Sequence, residues 1–193
     1  MPETHCRSHN RRGLLIFVLL LFVTIDSALA ADPPKVDRLF PAGGQAGTDV
    51  TVTISGKPGE AALQIWSDRG QLQCALAEDR KSMTVTIPPG ARRGVHWLRF
   101  HNEAGVSAAV PFVVGQIAEK SEEEPNNLPQ EADQLEATAV TINGVLQKSG
   151  DVDIYSIHVP AGKTLVASMQ ANRVLGSPMD GVLQLLDARG TVI

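Results

Sequence analysis

From Pro34 onward, apolar side chains recur at every second position. Val50, Val52 and Ile54 alternate with Thr51, Thr53 and Ser55; Met83, Val85 and Ile87 alternate with Thr84 and Thr86; Val106, Ala108, Val110 and Phe112 keep the same rhythm. A period of two sends neighbouring residues to opposite faces of an extended chain, so each run reads as a half-buried strand. The runs are separated by Pro41-Ala42-Gly43-Gly44, Gly56-Lys57-Pro58-Gly59, Asp68-Arg69-Gly70, Pro88-Pro89-Gly90 and Asn102-Glu103-Ala104-Gly105. In each cluster glycine supplies positive φ or proline presets the entry to a turn. About seven short strands in roughly eighty residues predict an immunoglobulin-like sandwich. Only 4% of the chain is aromatic, so its core has to rest on Val, Ile, Leu and Ala.

The same period returns near the C-terminus. Tyr155, Ile157 and Val159 alternate with Ser156 and His158, and Pro160-Ala161-Gly162-Lys163 turns the chain. Leu165, Ala167 and Met169 form the next face, and residues 182–186 read as a nearly continuous apolar strand ahead of Asp187-Ala188-Arg189-Gly190. Asn143-Gly144 is either a tight hairpin turn or a glycine at which strands approach. Between the two regions, residues 115–121 lose the pattern and read as a short linker. The 193 residues leave room for two domains. The expected fold is all-β, with two tandem β-sandwiches over 34–114 and 122–193.

The first thirty residues read as an export signal. Arg7, Arg11 and Arg12 precede an apolar run over 14–23, and Ala28-Leu29-Ala30 supplies a small-residue cleavage pattern before Ala31. The run is too short for a permanent bilayer-spanning helix, so cleavage at residue 30 is expected, with no membrane span afterwards. The destination is the periplasm, the cell surface or the extracellular space. Cys6 leaves with the signal, so Cys74 is the only cysteine of the mature chain and no internal disulfide can form. Leu72, Cys74 and Leu76 alternate with Gln71, Gln73 and Ala75, which places the Cys74 thiol on the buried face of a strand.

A net charge of −4 excludes a strongly basic nucleic-acid binder. Stacking platforms for sugars or bases are not expected at this aromatic content, although Trp66, Trp97 and Tyr155 are available for them. His96 and His101 lie five apart on one strand and point to opposite faces; no further Cys or His completes a zinc set, so both read as surface or edge residues. Carboxylates and amides gather instead in Glu122-Glu123-Glu124-Pro125-Asn126-Asn127 and in Gly150-Asp151-Val152-Asp153-Ile154-Tyr155. An extended segment turns Glu122, Glu124 and Asn126 to one side, and Asp151 and Asp153 share that spacing at the head of the next strand. If the first segment crosses the start of that strand, four carboxylates and one or two amide oxygens converge. Calcium takes about six to eight oxygen ligands of these kinds. The same residues also fit a solvated acidic linker followed by an Asp-rich turn. An EF-hand is excluded, because no single loop carries the acidic run around a glycine that it needs.

Two family resemblances attach to these motifs. Lys35-Val36-Asp37-Arg38-Leu39-Phe40-Pro41, Gly44-Gln45-Ala46-Gly47-Thr48, Pro88-Pro89-Gly90 and Gly94-Val95-His96-Trp97-Leu98-Arg99 follow in the order of an IPT/TIG-type immunoglobulin-like domain, which the chain resembles over about 34–114. That resemblance implies a spacer or interaction surface. Glu122 to Asn127, Asn143-Gly144-Val145-Leu146, Gly150 to Tyr155, Ala161-Gly162-Lys163 and Gly176-Ser177-Pro178-Met179-Asp180 resemble a bacterial pre-peptidase C-terminal (PPC) domain. The resemblance implies a jelly-roll-like sandwich, and relatives in bacterial collagenases bind calcium and collagen. The positions that match their calcium ligands are Glu122, Glu124, Asn126, Asn127, Asp151 and Asp153; Asn127 stands where those relatives often carry Asp. The pair of domains resembles exported proteins of planctomycete-type bacteria. A PPC domain usually continues beyond the segment matching 183–190, so a fragment of a longer protein is expected.

The sequence carries no G-x-S-x-G, H-E-x-x-H or phosphate-loop motif. Two readings follow. In the first, the chain is a non-catalytic exported binding or adhesion module, stiffened by calcium, whose partner is an extracellular polymer or an envelope protein. In the second, it is the N-terminal accessory region of a secreted peptidase or other hydrolase whose catalytic domain lies outside this sequence.

Overall fold

The computed structural model describes residues 32–59, 62–136 and 139–193. The export signal read at residues 1–30 lies outside the described residues. The chain is all-β. One sheet places β1 (Lys35–Phe40), β3 (Asp49–Lys57), β6 (Ser82–Thr86) and β5 (Gln73–Leu76) side by side in that order, every pair antiparallel. The facing sheet runs β2 (Gly43–Gln45), β9 (Val110–Gly115), β7 (Gly94–Asn102), β4 (Gln64–Ser67), with β8 (Gly105–Val106) folded back on β7. These orders reproduce the ABED and CFG sheets of an immunoglobulin sandwich. The first strand is divided between the sheets, β1 lying antiparallel to β3 and β2 parallel to β9.

The predicted alternation is what fills the core. Val52 and Ile54 from β3, Met83 and Val85 from β6, Leu98 and Phe100 from β7, and Phe112 and Val114 from β9 turn inward and interdigitate, and each is buried. The outward residues between them stay polar or half-exposed, which is the signature of sheets packed on one face only. Cys74 lies half-buried against this core, and burial pushes its thiol pKa up to about 11. That is a packed thiol, held protonated at neutral pH.

Two local readings change. The cluster Pro41 to Gly44 reads as a turn, yet Gly43–Gln45 is a strand that carries the chain from one sheet to the other. Its glycines permit close approach, since a Cβ on Gly44 would lie 2.5 Å from both Ile87 Cδ1 and Val50 Cγ2. The rhythm expected from Val106 to Phe112 also breaks at its start, because Val106 is exposed while Ser107 is buried. Ser107 replaces an apolar residue there by accepting a hydrogen bond from Phe100 N at 3.0 Å and donating one to Ala108 O at 2.6 Å.

Beyond Val114 the architecture is different. The segment read as a linker contains β10 (Ala118–Ser121), which pairs in parallel with β12 (Val140–Asn143), and β11 (Asp133–Leu135) pairs in parallel with β13 (Tyr155–Ile157). The strands expected at 165–169 and 182–186 do not form; only a bridge between Leu186 and Val192 and a four-residue helix, α1 (Asn172–Leu175), are regular after β13. Local β propensity makes no strand unless a neighbour accepts and donates the ladder bonds. Val166 and Val182 are accordingly 86% and 81% exposed. Among the described residues, every buried apolar side chain lies between Val36 and Val114, while the buried side chains of the second region, Asn126 and Asp133, are both polar. Also among the described residues, no helix is long and apolar enough to cross a membrane.

The division of labour along β7 can be measured. Phe100→Ala, at a fully buried site, is expected to lower the unfolding free energy of the sandwich by about 3–5 kcal/mol in urea titrations. Trp97→Ala, on the half-exposed face of the same strand, is expected to cost less than about 1 kcal/mol.

Candidate metal centre

β10 and β12 bring the acidic segment to the second Asp pair. Their parallel ladder continues past Ser121, where Glu122 N donates to Asn143 O at 3.0 Å. The Glu122 carboxylate then crosses over Gly144: a Cβ at that position would lie 2.6 Å from Glu122 Oε2 and 3.0 Å from the Tyr155 hydroxyl. Of the two readings of Asn143-Gly144, the close approach is the one that holds. Glu122 Oε1 accepts from Val145 N at 2.6 Å, and Oε2 accepts from the Tyr155 hydroxyl at 3.0 Å.

Glu124 precedes a cis bond to Pro125. Its Oε2 accepts from Asn126 N at 3.1 Å and from Asn127 Nδ2 at 3.3 Å, and its Oε1 accepts from Gln147 Nε2 at 3.3 Å. The carbonyl of Asn126 accepts from Ile154 N at 2.9 Å, and the carbonyl of Ile154 in turn accepts from Asp133 N at 2.9 Å. The acidic segment therefore does lie across the start of β13. Asp151 Oδ2 accepts from Gln147 N at 2.6 Å.

One carboxylate oxygen from each of Glu124, Asp151 and Asp153 lies within 4.8 Å of the other two. Oxygens on opposite sides of one calcium ion stand about 4.6 to 5.2 Å apart, twice a calcium–oxygen distance of about 2.3 to 2.6 Å. Glu122 adjoins this trio through Asp153, whose carboxyl feels its charge. Among the described residues, no ion pair reaches any of the four carboxylates. The nearby Lys120 is committed elsewhere, to Asp133 at 2.6 Å and Glu123 at 3.4 Å.

Asn126, whose backbone bonds to Glu124 and Ile154, has no exposed surface, and neither its Oδ1 nor its Nδ2 has a hydrogen-bond partner; Asp153 Oδ1 is buried and unpartnered as well. The other such atoms among the described residues, Ser67 Oγ and His96 Nδ1, belong to the first sandwich. A buried polar group left unsatisfied costs about 1–3 kcal/mol. A cation among the Glu124, Asp151 and Asp153 oxygens would remove that cost at Asp153 Oδ1, and this all-oxygen donor set fits a hard cation. Asn127 has a different position, since its amide nitrogen donates to Glu124 and helps to orient that carboxylate. Gln147 and Tyr155 are additions that no spacing rule indicates, because each donates to a glutamate distant in sequence, Glu124 and Glu122 respectively.

The electrostatics record the crowding. Burial pushes the Asp153 pKa up to about 6, helped by the charges of Glu122, Asp151 and Glu124. Burial, and then Glu122, also raise the Tyr155 phenol above its ordinary value.

The histidine reading needs one correction. His96 and His101 do point to opposite faces, but His96 is fully buried. Its Nε2 lies 2.7 Å from Arg92 O; a carbonyl can only accept, so Nε2 carries the proton. The inward parity of β7 and that one bond let the imidazole replace an apolar side chain.

No protein-family model matches the chain, and no curated protein matches it.

Asp153 ties stability to pH with a definite sign. As pH rises from about 4, the unfolded chain releases this proton first, while the folded protein holds it to about pH 6, so stability falls across that window and levels above it. With a chelator present, Asp153→Asn is expected to lose this decline, which the difference between wild-type and variant melting temperatures from pH 4 to 7 would measure.

Proposed function

We propose that the chain is a non-catalytic exported binding or adhesion module of the PPC type, with calcium clamping residues 122–127 onto 151–153. The observation that carries the calcium reading is the convergence of carboxylate oxygens from Glu124, Asp151 and Asp153, with Asp153 Oδ1 buried and unpartnered; Asn126, in the same segment as Glu124, holds a second buried, unpartnered oxygen. Asp153, Asp151, Glu124 and the Asn126 amide are the proposed ligands, Glu122 stands next to them, and Asn127 positions Glu124. One divalent charge among four carboxylates turns mutual repulsion into attraction.

The second region has a particular need for such a clamp. Its described side chains bury no apolar residue, and regions without an adequate core are commonly stabilised by a metal or a disulfide. The mature chain has a single cysteine, which leaves the metal. The partner class proposed is an extracellular polymer or an envelope protein, with the first sandwich holding the second region away from its point of attachment or contributing to the contact.

Thermal melts in excess calcium and in chelator test the clamp. At free calcium about one hundred times the dissociation constant, a stabilisation of about 2.7 kcal/mol is expected. Asp151→Ala is expected to abolish that difference. Asp153→Asn is expected to abolish it too, while melting above the wild type in chelator at pH 7 because one repelling charge is gone. Superimposable wild-type melts in calcium and chelator would sink the proposal.

A further inference from the structure

The solvent face of the second sheet carries features that neither the core nor the carboxylate cluster uses. Both tryptophans of the chain are there, Trp66 on β4 and Trp97 on β7, respectively 50% and 43% exposed. Strand register puts Trp66 directly opposite Arg99, so Trp97 and His101, two residues to either side of Arg99, are its diagonal neighbours. Diagonal positions of an antiparallel pair stand about 7–8 Å apart, within reach of aromatic side chains. Trp66, Arg99, His101 and Val106 line a shallow depression of about 320 Å³.

Charge and hydrogen-bonding capacity are one-sided on this face. The five strands of the sheet contain no Asp or Glu at all, in a chain that holds 21 of them. Of the carboxylates at its margin, Asp68 accepts from Trp97 N at 3.1 Å and lies 3.8 Å from Arg69, Asp37 lies 4.0 Å from Lys35 and borders a depression that Trp97 also lines, and Glu103 is exposed in the turn between β7 and β8. Arg99 is oriented by donating Nη1 to Ser107 O at 3.0 Å, which leaves other N–H groups of its fork to face outward. Two indole N–H groups, that guanidinium and the Gln64 amide give the face mostly donors. Such a surface suits a ligand rich in acceptor oxygens that also presents apolar flat sides for indoles to cover. Extended sugar chains bearing carboxylate or sulfate groups have both properties: ring C–H faces for Trp66 and Trp97, and anionic oxygens for Arg99.

We propose that this sheet face binds an anionic polysaccharide, with Trp66 and Trp97 as stacking platforms and Arg99 as the anion contact. The inference rests on the reading of the chain as an exported binding module and names the class of polymer.

Dextran sulfate is the probe, with uncharged dextran and polyglutamate as controls and calcium present throughout. Because Trp66 and Trp97 are the only tryptophans, their fluorescence reports on this face directly. Dextran sulfate is expected to give a saturable fluorescence change and retardation in affinity gels. Trp66→Ala and Arg99→Gln are each expected to weaken binding about tenfold or more, and Trp66→Phe to retain part of it. Melting each variant in calcium and in chelator checks that the fold is kept. Binding of polyglutamate as tight as that of dextran sulfate would overturn the proposal in favour of an acidic protein partner, and so would wild-type affinity in Trp66→Ala. Failure of wild-type protein to bind dextran sulfate, with its calcium-dependent melting shift intact, would overturn the polysaccharide assignment alone. Loss of the calcium shift with dextran sulfate binding preserved would instead strike the calcium clamp and uphold this face.

Discussion

Among the described residues, full apolar burial stops at Val114, and after it apolar side chains such as Ile142, Ile154 and Ile157 are buried only in part. Before that point, side chains such as Phe100 and Phe112 each contribute on the order of 1.5–3 kcal/mol by leaving water, and the sheets follow from the need to cover them. After it, the chain is positioned by short parallel ladders, by the Lys120–Asp133 pair, and by carboxylates that accept from backbone and side-chain N–H groups. Polar contacts of this kind yield little net stability, because water competes for every one of them. The pKa of Asp153 records the result, with burial and neighbouring charge together favouring the proton over the ion. A cation competing for that position would act where the region's apolar side chains are only partly buried.

Strand β7 connects the core to the surface. Its inward residues, His96, Leu98 and Phe100, fill the space between the sheets, and its outward residues, Trp97, Arg99 and His101, make the donor-rich face. A nine-residue strand in the middle of a sheet has both neighbours to fix its twist and register, so outward side chains on it are held more rigidly than the same residues on a loop. Ser107 supports both sides at once, by occupying a buried position next to Phe100 and by orienting the Arg99 guanidinium through its carbonyl.

Much of the first sandwich was legible because alternation is a local property. Val52, Met83, Val85 and Phe112 point inward as their spacing requires, and Leu72, Cys74 and Leu76 follow the same rule. Where the reading failed, the deciding contact was distant in sequence. Gly43–Gln45 looks like a turn until Val113–Gly115 comes alongside. His96 looks like an edge residue until Arg92 O meets its ring. The apolar runs at 165–169 and 182–186 have strand composition and no strand to pair with.

For the candidate metal centre, the sequence alone determined which residue types were available and that Glu122, Glu124 and Asn126 on one side, and Asp151 and Asp153 on the other, recur at strand spacing. Spacing is set by covalent geometry and needs no partner. Only the tertiary structure decided that the two sets meet, through the Asn126 carbonyl on Ile154 N, and that Gly144, Tyr155 and Gln147 shape the space between them. The same holds for Trp66 and Trp97, whose shared face depends on the register of β4 against β7. Convergence depends on which strands pair, and pairing is settled by the burial and hydrogen bonding of the whole chain, which no local period encodes.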